Sequence, residues 1–370
     1  MRVAHLIESD GPGGAERMVV HLAGAQQRND SSAVAVLLAD GEGWLGRELA
    51  RAGVEVDTVR FGRPFSPAFA RQLAATLRKQ RVSIVHSHEF TMAFYGAWAA
   101  RLAGLPHVIT MHGGRYYAGR MRRRVALRAA IGFSGGVVAV SDLLADSLAR
   151  DLWLRRTRID TIANGVRFGA ATHSTLRAEL GLEDEASLIV TVGNLYPVKG
   201  HAHLVDAVAR LTPTHPHLHL AIAGRGDEAH ALERQAEDFG VGPRVHLLGL
   251  REDVANLLAA ADVFVLPSLS EGLPMALLEA MFAARPIVAS AVGDVPVALA
   301  GGAAGMLVPP GDPGALAGAI ARLLASPFEA RRLGATAQAR AAAEYGVGRM
   351  AARYADLYQR VLANGNGARV

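Results

Sequence analysis

The chain has 370 residues, of which 51% are hydrophobic and 20% charged. This balance excludes a disordered chain and supplies apolar surface for two α/β domains of ordinary size. Cysteine is absent, which excludes disulfides, thiolate metal sites and cysteine nucleophiles and suits a reducing compartment. The net charge of +5 is uneven: residues 1–168 carry 23 Lys+Arg against 14 Asp+Glu and the remainder 16 against 20, so the halves are expected to meet different partners.

The first apolar run, Val3–Glu8, begins too soon and ends too early for a signal peptide, and no window of 18 uninterrupted apolar residues occurs. A cytoplasmic protein without a spanning helix is expected. Further strands are predicted at Ala33–Ala39, Val54–Phe61, Ser83–His88, His107–His112, Val137–Ser141 and Arg158–Ala163. A second series follows at Leu188–Gly193, His217–Gly224, Val245–Gly249, Val263–Pro267, Pro286–Ser290 and Gly305–Val308. Helix-length segments such as Lys199–Leu211 and Asp227–Phe239 separate them. Strand–helix alternation of this kind gives parallel, doubly wound sheets with ligand sites at the carboxyl ends of the strands. The expected domains are 1–168 and 187–345, with 169–186 as linker, a returning helix at 346–363 and a flexible tail at 364–370.

Several segments carry chemistry. Gly11-Pro-Gly13-Gly14-Ala-Glu16 follows the first strand, but Arg17 and Met18 stand where a dinucleotide fingerprint needs a small residue, and Asp40 does not rescue that reading. His86, His88 and Glu89 alternate at a strand end in a way that suits a metal, yet the sequence identifies no further ligand, and no metal is expected. The segment from Arg115 to Arg128 interleaves Arg120, Arg122, Arg123 and Arg124 with Tyr116, Tyr117, Met121, Val125 and Leu127. Two readings stand: a solvated helix, or a peripheral contact with an anionic membrane or acceptor at the inner face of the cell membrane. No nucleic-acid-binding module accompanies it, so nucleic acid is not expected as a partner. No Asp-x-Asp motif occurs, and no Gly-x-Ser-x-Gly run stands at the strand-to-helix turn that a nucleophile elbow requires.

Lysine is rare, only Lys79 and Lys199, and Lys199 stands after a strand and turn, at the start of a helix, where a compact ammonium suits a phosphate oxygen. The most informative stretch is Ser268-Leu-Ser-Glu271-Gly272-Leu273-Pro274-Met-Ala-Leu-Leu-Glu279, which follows the strand Val263–Pro267. Pro274 suits the first turn of a helix. Glu271 in the loop and Glu279 on the helix can line one pocket, where carboxylates accept from paired hydroxyls and the helix N-terminus faces a phosphate.

With these residues in place, the chain resembles family 4 of the retaining glycosyltransferases with the GT-B fold, whose signature is two glutamates separated by seven residues at such a junction. The likeness extends over His112-Gly113, Val138-Ala-Val-Ser141, Asn164-Gly165-Val166, Val192-Gly-Asn194-Leu-Tyr-Pro-Val-Lys199-Gly200, Ala223-Gly-Arg-Gly226, Leu248-Gly249 and Ala261-Asp-Val-Phe-Val-Leu-Pro267. The resemblance implies two Rossmann-like domains facing across a cleft and transfer of a hexose from a nucleoside-diphosphate donor, with a UDP-sugar favoured, to an unidentified acceptor. It implies Glu279 on the donor ribose and Glu271 on the transferred sugar. Lys199 is then expected on the diphosphate with the N–H groups of Gly13 and Gly14, His112 near the donor sugar, and the segment from Leu250 on the base. No cofactor and no metal are implied. Asn194 departs from the arginine common at its position, and Arg225, in the next strand's loop, is a candidate to compensate. Another GT-B enzyme, an epimerase or phosphorylase, and a catalytically silent subunit are the alternatives.

Overall fold

The computed structural model describes residues 1–28, 32–37, 43–59, 66–113, 119–169 and 171–367, in two compact units. Asp40, Phe61, Arg115, Tyr116 and Tyr117 lie outside the described residues.

The first unit comprises Met1–Arg167 and Gly346–Val370. Its strands are β1 (Arg2–Ile7), β2 (Ser32–Leu37), β3 (Glu55–Thr58), β4 (Ile84–His88), β5 (His107–Met111), β6 (Gly136–Ala139) and β7 (Asp160–Thr161). They form one parallel sheet in the order β3-β2-β1-β4-β5-β6-β7. Alternation along each strand sends residues to opposite faces. Val3 and Ile7 of β1 pack with Met18 and Leu22 of the helix Gly14–Arg28, while Ala4 and Leu6 pack with Leu73 and Leu77 of the helix Pro67–Lys79.

The face of Val3 is closed by the C-terminal helix Val347–Gly367, whose Met350, Tyr354, Leu357, Tyr358 and Val361 make a buried stripe at helical spacing. Gly165 admits that helix: a Cβ there would lie 2.8 Å from the Met350 side chain and 2.9 Å from the Val347 backbone. The helix runs on to Gly367, so most of the stretch expected as a tail from Asn364 is helical.

The second unit, Phe168–Tyr345, holds β8 (Ser187–Val192), β9 (Leu218–Ala223), β10 (Val245–Leu247), β11 (Val263–Leu266), β12 (Ile287–Ser290) and β13 (Met306–Val308), parallel in the order β10-β9-β8-β11-β12-β13. The stretch read from the sequence as a linker packs within this unit. Leu176 of its short helix Leu176–Glu179 is buried with Leu188, Val190 and Leu257, which anchors a segment that lacks a longer period of its own. Each predicted strand has an observed counterpart; β1, β2, β6 and β8 begin one residue earlier than expected, and the others are shorter at one or both ends. In both sheets the chain winds outward in one direction and then returns to wind in the other. The reversal falls between β1 and β4 and between β8 and β11, where ligand crevices of open α/β sheets form.

Candidate functional site

At the reversal in the second unit, the turn after β8 is drawn against the end of β11. Gly200 has φ +68°, and a Cβ there would lie 2.1 Å from the Pro267 carbonyl oxygen, so only glycine permits this approach. The Leu269 N–H donates to the Val198 carbonyl at 2.8 Å and fastens the two segments. Lys199, last residue of the 3₁₀ turn Pro197–Lys199, is thereby carried to the loop after β11, where Nζ donates to Oε1 of Glu271 at 2.6 Å. Ser268 Oγ donates to the same oxygen at 2.7 Å. The Glu271 side chain is 8% exposed and that of Lys199 26%, so the carboxylate is nearly withdrawn from water while the ammonium keeps an open side. An ion pair so placed is costly to break from one side, because the remaining charge is left uncompensated.

The other side of the Glu271 loop is set by Gly293 (φ +53°), where a Cβ would meet the Glu271 carbonyl at 2.1 Å. The Asp294 N–H donates to the Gly272 carbonyl at 3.2 Å. The helix Met275–Phe282 follows, with Pro274 one residue ahead of it in extended conformation (φ −73°, ψ 132°) and not inside its first turn. Leu273 is buried, and Glu279, fifth in that helix, is buried as well. His201, the first residue of the helix His201–Leu211, is buried beside Lys199 in sequence, and burial pushes its pKa down to about 4.

The neighbouring strand ends are laced together. The N–H of Gly193 donates to Ala223, that of Leu195 to Arg225, and that of Gly224 to Gly249, at 2.9, 2.9 and 2.8 Å. Gly224 is required, since a Cβ would lie 1.9 Å from the Gly193 carbonyl. Asn194, Arg225 and Leu250 are thus brought to one rim, with Arg225 and Leu250 exposed.

The first unit carries Gly13, Gly14 and His112. Gly14 begins the helix Gly14–Arg28, and the Glu16 carboxylate folds back so closely that a Cβ on Gly13 would lie 2.2 Å from it. His112 follows β5 directly, and its backbone N–H donates to Oε1 of Glu89 at 3.0 Å. Glu89 holds φ +65°, a left-handed conformation costly for a residue with a Cβ. Burial pushes its carboxyl up to about 7, against the His112 N–H that favours the anion.

Beneath these residues lies an imidazole cluster that sequence reasoning missed. His86 and His88 are joined by His5, their candidate ligand nitrogens all within 4.8 Å of one another. The strand register is the reason: His5 pairs with His86 and His88 with Thr110, all on the face covered by the C-terminal helix. All nitrogens of the three rings already have partners. His86 is bonded to Tyr358 OH at 2.7 Å and Thr110 Oγ1 at 2.8 Å, His5 to Gln26 and His88, and His88 to His112. A cation would have to displace these bonds. The alternation of His86 and His88 signalled a shared face, but the partner on β1 depends on register, which a single strand does not encode.

Two family models match the chain: one described as Glycosyltransferase Family 4 over residues 12–168, and one described as Glycosyl transferases group 1 over residues 186–326. The alpha-maltose-1-phosphate synthase of Mycolicibacterium smegmatis is 30% identical over 317 residues, covering 77% of this chain and 80% of that enzyme. The UDP-Gal:alpha-D-GlcNAc-diphosphoundecaprenol alpha-1,3-galactosyltransferase of Escherichia coli is 31% identical over 58% of this chain, and the match spans 59% of that enzyme. Among solved structures, Anabaena HepE in complex with UDP-glucose superposes with a TM-score of 0.85 at 23% identity, covering 97% of this chain and 99% of that one.

Proposed function

This chain belongs to glycosyltransferase family 4, the glycosyl transferases group 1, and from that premise we propose that it moves a hexose-type sugar from a UDP-sugar to a saccharide, lipid-linked or small-molecule acceptor with retention of configuration and without a metal. The observation that carries this reading is the Lys199–Glu271 pair at the reversal point of the second sheet. The open side of the Lys199 ammonium takes a diphosphate oxygen, and with the N-terminus of the helix Met275–Phe282 it stabilises the charge that grows on the leaving nucleoside diphosphate. Gly13 and Gly14, at the start of the helix Gly14–Arg28, are read as offering backbone N–H groups to a diphosphate.

Glu271, held by Lys199 and Ser268 through Oε1, accepts from hydroxyls of the transferred sugar through Oε2, and Glu279 accepts from the ribose hydroxyls. The acceptor attacks the anomeric carbon from the face that the diphosphate leaves. The bond to the diphosphate oxygen breaks, the new glycosidic bond forms, and the acceptor's proton passes to the departing phosphate. Glu271 orients and forms no covalent intermediate. Support for a UDP donor comes from neighbours such as HepE, solved with UDP and with UDP-glucose.

A peripheral membrane contact is the reading proposed for the helix Met121–Gly132. Met121 and Val125 are exposed beside exposed Arg122 and Arg128, while Arg124 is paired with Asp151 at 2.8 Å. Co-sedimentation with phosphatidylglycerol vesicles, and none with phosphatidylcholine, is expected. Among the described residues no helix is long and apolar enough to cross a membrane.

The experiment is a thermal-shift panel of UDP-, GDP- and ADP-sugars, followed by transfer assays with and without EDTA. Stabilisation by a UDP-sugar and EDTA-insensitive turnover are expected. An epimer formed without acceptor, or no binding of any donor, would replace this reading.

A further inference from the structure

The imidazoles of the first unit form a continuous line that ends on His112. Each step moves to the neighbouring strand and two residues on: His5 on β1, His88 on β4, His112 after β5. Nδ1 of His5 lies 3.1 Å from Nε2 of His88, and Nδ1 of His88 lies 3.2 Å from Nε2 of His112. At the inner end, Nε2 of His5 lies 2.8 Å from Oε1 of Gln26. At the outer end, Nδ1 of His112 is buried with no hydrogen-bond partner among the described residues.

Proton positions along this line follow from counting. Burial holds His5 and His112 down to about 4 and His88 well below its ordinary value, so each ring carries one proton near neutrality. Gln26 Oε1 only accepts, so the proton of His5 sits on Nε2. His5 Nδ1 then accepts from Nε2–H of His88, and His88 Nδ1 accepts from Nε2–H of His112. Nδ1 of His112 is left with a lone pair. The orientation of the Gln26 amide fixes the direction of the whole line. Its Nε2 faces Tyr358 OH at 3.4 Å. Reversing the amide would make that contact an O–H···O bond well beyond the usual limit of about 3.0 Å, whereas the 2.8 Å contact to His5 is ordinary for N–H···O. Tyr358 OH in turn donates to Nδ1 of His86 at 2.7 Å, and Nε2–H of His86 donates to Thr110 at 2.8 Å, so the second branch agrees with the first.

We propose that Gln26, His5 and His88 are positioning residues that lock His112 in its Nε2–H tautomer, so that Nδ1 meets the sugar nucleotide as a hydrogen-bond acceptor. The ligand half of this proposal rests on the glycosyltransferase reading above; the lock does not. Because Gln26 cannot take up a proton, the line conducts none. It selects what His112 can recognise: an acceptor nitrogen pairs with a sugar hydroxyl and repels a phosphate oxygen, which an N–H or an imidazolium would bind.

The test is ¹⁵N NMR of the full chain labelled at histidine nitrogens, with His112 assigned by comparison with His112→Gln. At pH 7 the wild-type protein is expected to show His112 with a protonated Nε2 and a bare Nδ1. An Nδ1–H tautomer or an imidazolium overturns the lock without any reference to activity. Adding UDP-glucose is expected to move the Nδ1 resonance while UDP alone leaves it in place. Equal response to both overturns the ligand half. Gln26→Met, which removes the terminal acceptor, is expected to give both tautomers of His112 and to weaken UDP-sugar binding by up to about tenfold with UDP binding unchanged. A single Nε2–H tautomer in folded Gln26→Met overturns the role of Gln26.

Discussion

Where the winding reverses in the first unit, β1 and β4 bury three imidazoles inside the sheet, with a fourth on β5 at His107; at the same place in the second unit, β8 and β11 bury aliphatic and aromatic side chains with Thr191 as the one polar exception, and the polar groups wait in the loops beyond. The contrast teaches that one topology fixes where strand ends converge and leaves the state of charge there to the residues. Neutral rings that satisfy one another tolerate complete burial. Lys199 and Glu271 pair instead in the loops beyond the strands, where the carboxylate is nearly enclosed and the ammonium keeps contact with water.

Acid should separate the units most. Folding lowers His5 and His112 to about 4 and His107 to about 3, and burial holds His86 and His88 well below their ordinary value, so the histidines of the folded first unit bind fewer protons than those of the unfolded chain. Its histidine contribution is complete above pH 6.5 and is lost as pH falls toward 4. At about 1.4 kcal/mol per pKa unit the loss amounts to several kcal/mol. In the second unit His201 is fully buried, while His219 and His246 are only half-buried. Hydrogen exchange at pH 7 and 5 should show β1 and β4 losing protection before β8 and β11; equal losses would erase the contrast.

Glu89→Gln works in the opposite direction. The raised carboxyl near 7 favours the fold at low pH, and that preference is lost as pH rises from 4.5 to 7. Removing the charge should therefore stabilise the protein at pH 8 by about 1–3 kcal/mol relative to its effect at pH 5, read from urea melts. Tyr358→Phe strips His86 Nδ1 of its donor and should cost about 1–3 kcal/mol in the same melts, without changing UDP affinity. The smallest effect is reserved for Arg225→Ala on the exposed rim: a rise of up to about tenfold in the UDP dissociation constant supports compensation for Asn194, and an unchanged constant removes it.

Much of this was legible in the sequence, for reasons that differ by residue. Strands such as Val263–Leu266 declare themselves as short apolar runs, and the run Glu271 to Glu279 and Lys199, one of two lysines, stood out because each follows a strand. The contact of Ser268 with Glu271 was within reach, since both sit in one loop three residues apart. The line from Gln26 to His112 was not, because its members are brought together by inter-strand register and by a helix that returns more than two hundred residues later to present Tyr354 and Tyr358. Glu89 stood out only as a neighbour of His86 and His88 at a strand end that could suit a metal, whereas its left-handed backbone and enclosed carboxyl are set by the fold.

The account depends most on Lys199 serving a bound diphosphate in concert with Glu271. The direct measurement is steady-state transfer and donor binding for Lys199→Ala and Glu271→Gln, with folding checked by circular dichroism. A fall in kcat/KM of roughly 10²–10³ for Lys199→Ala in a folded protein is expected, with UDP binding weakened as well. Folded Lys199→Ala that binds UDP and transfers sugar at the wild-type rate would contradict it.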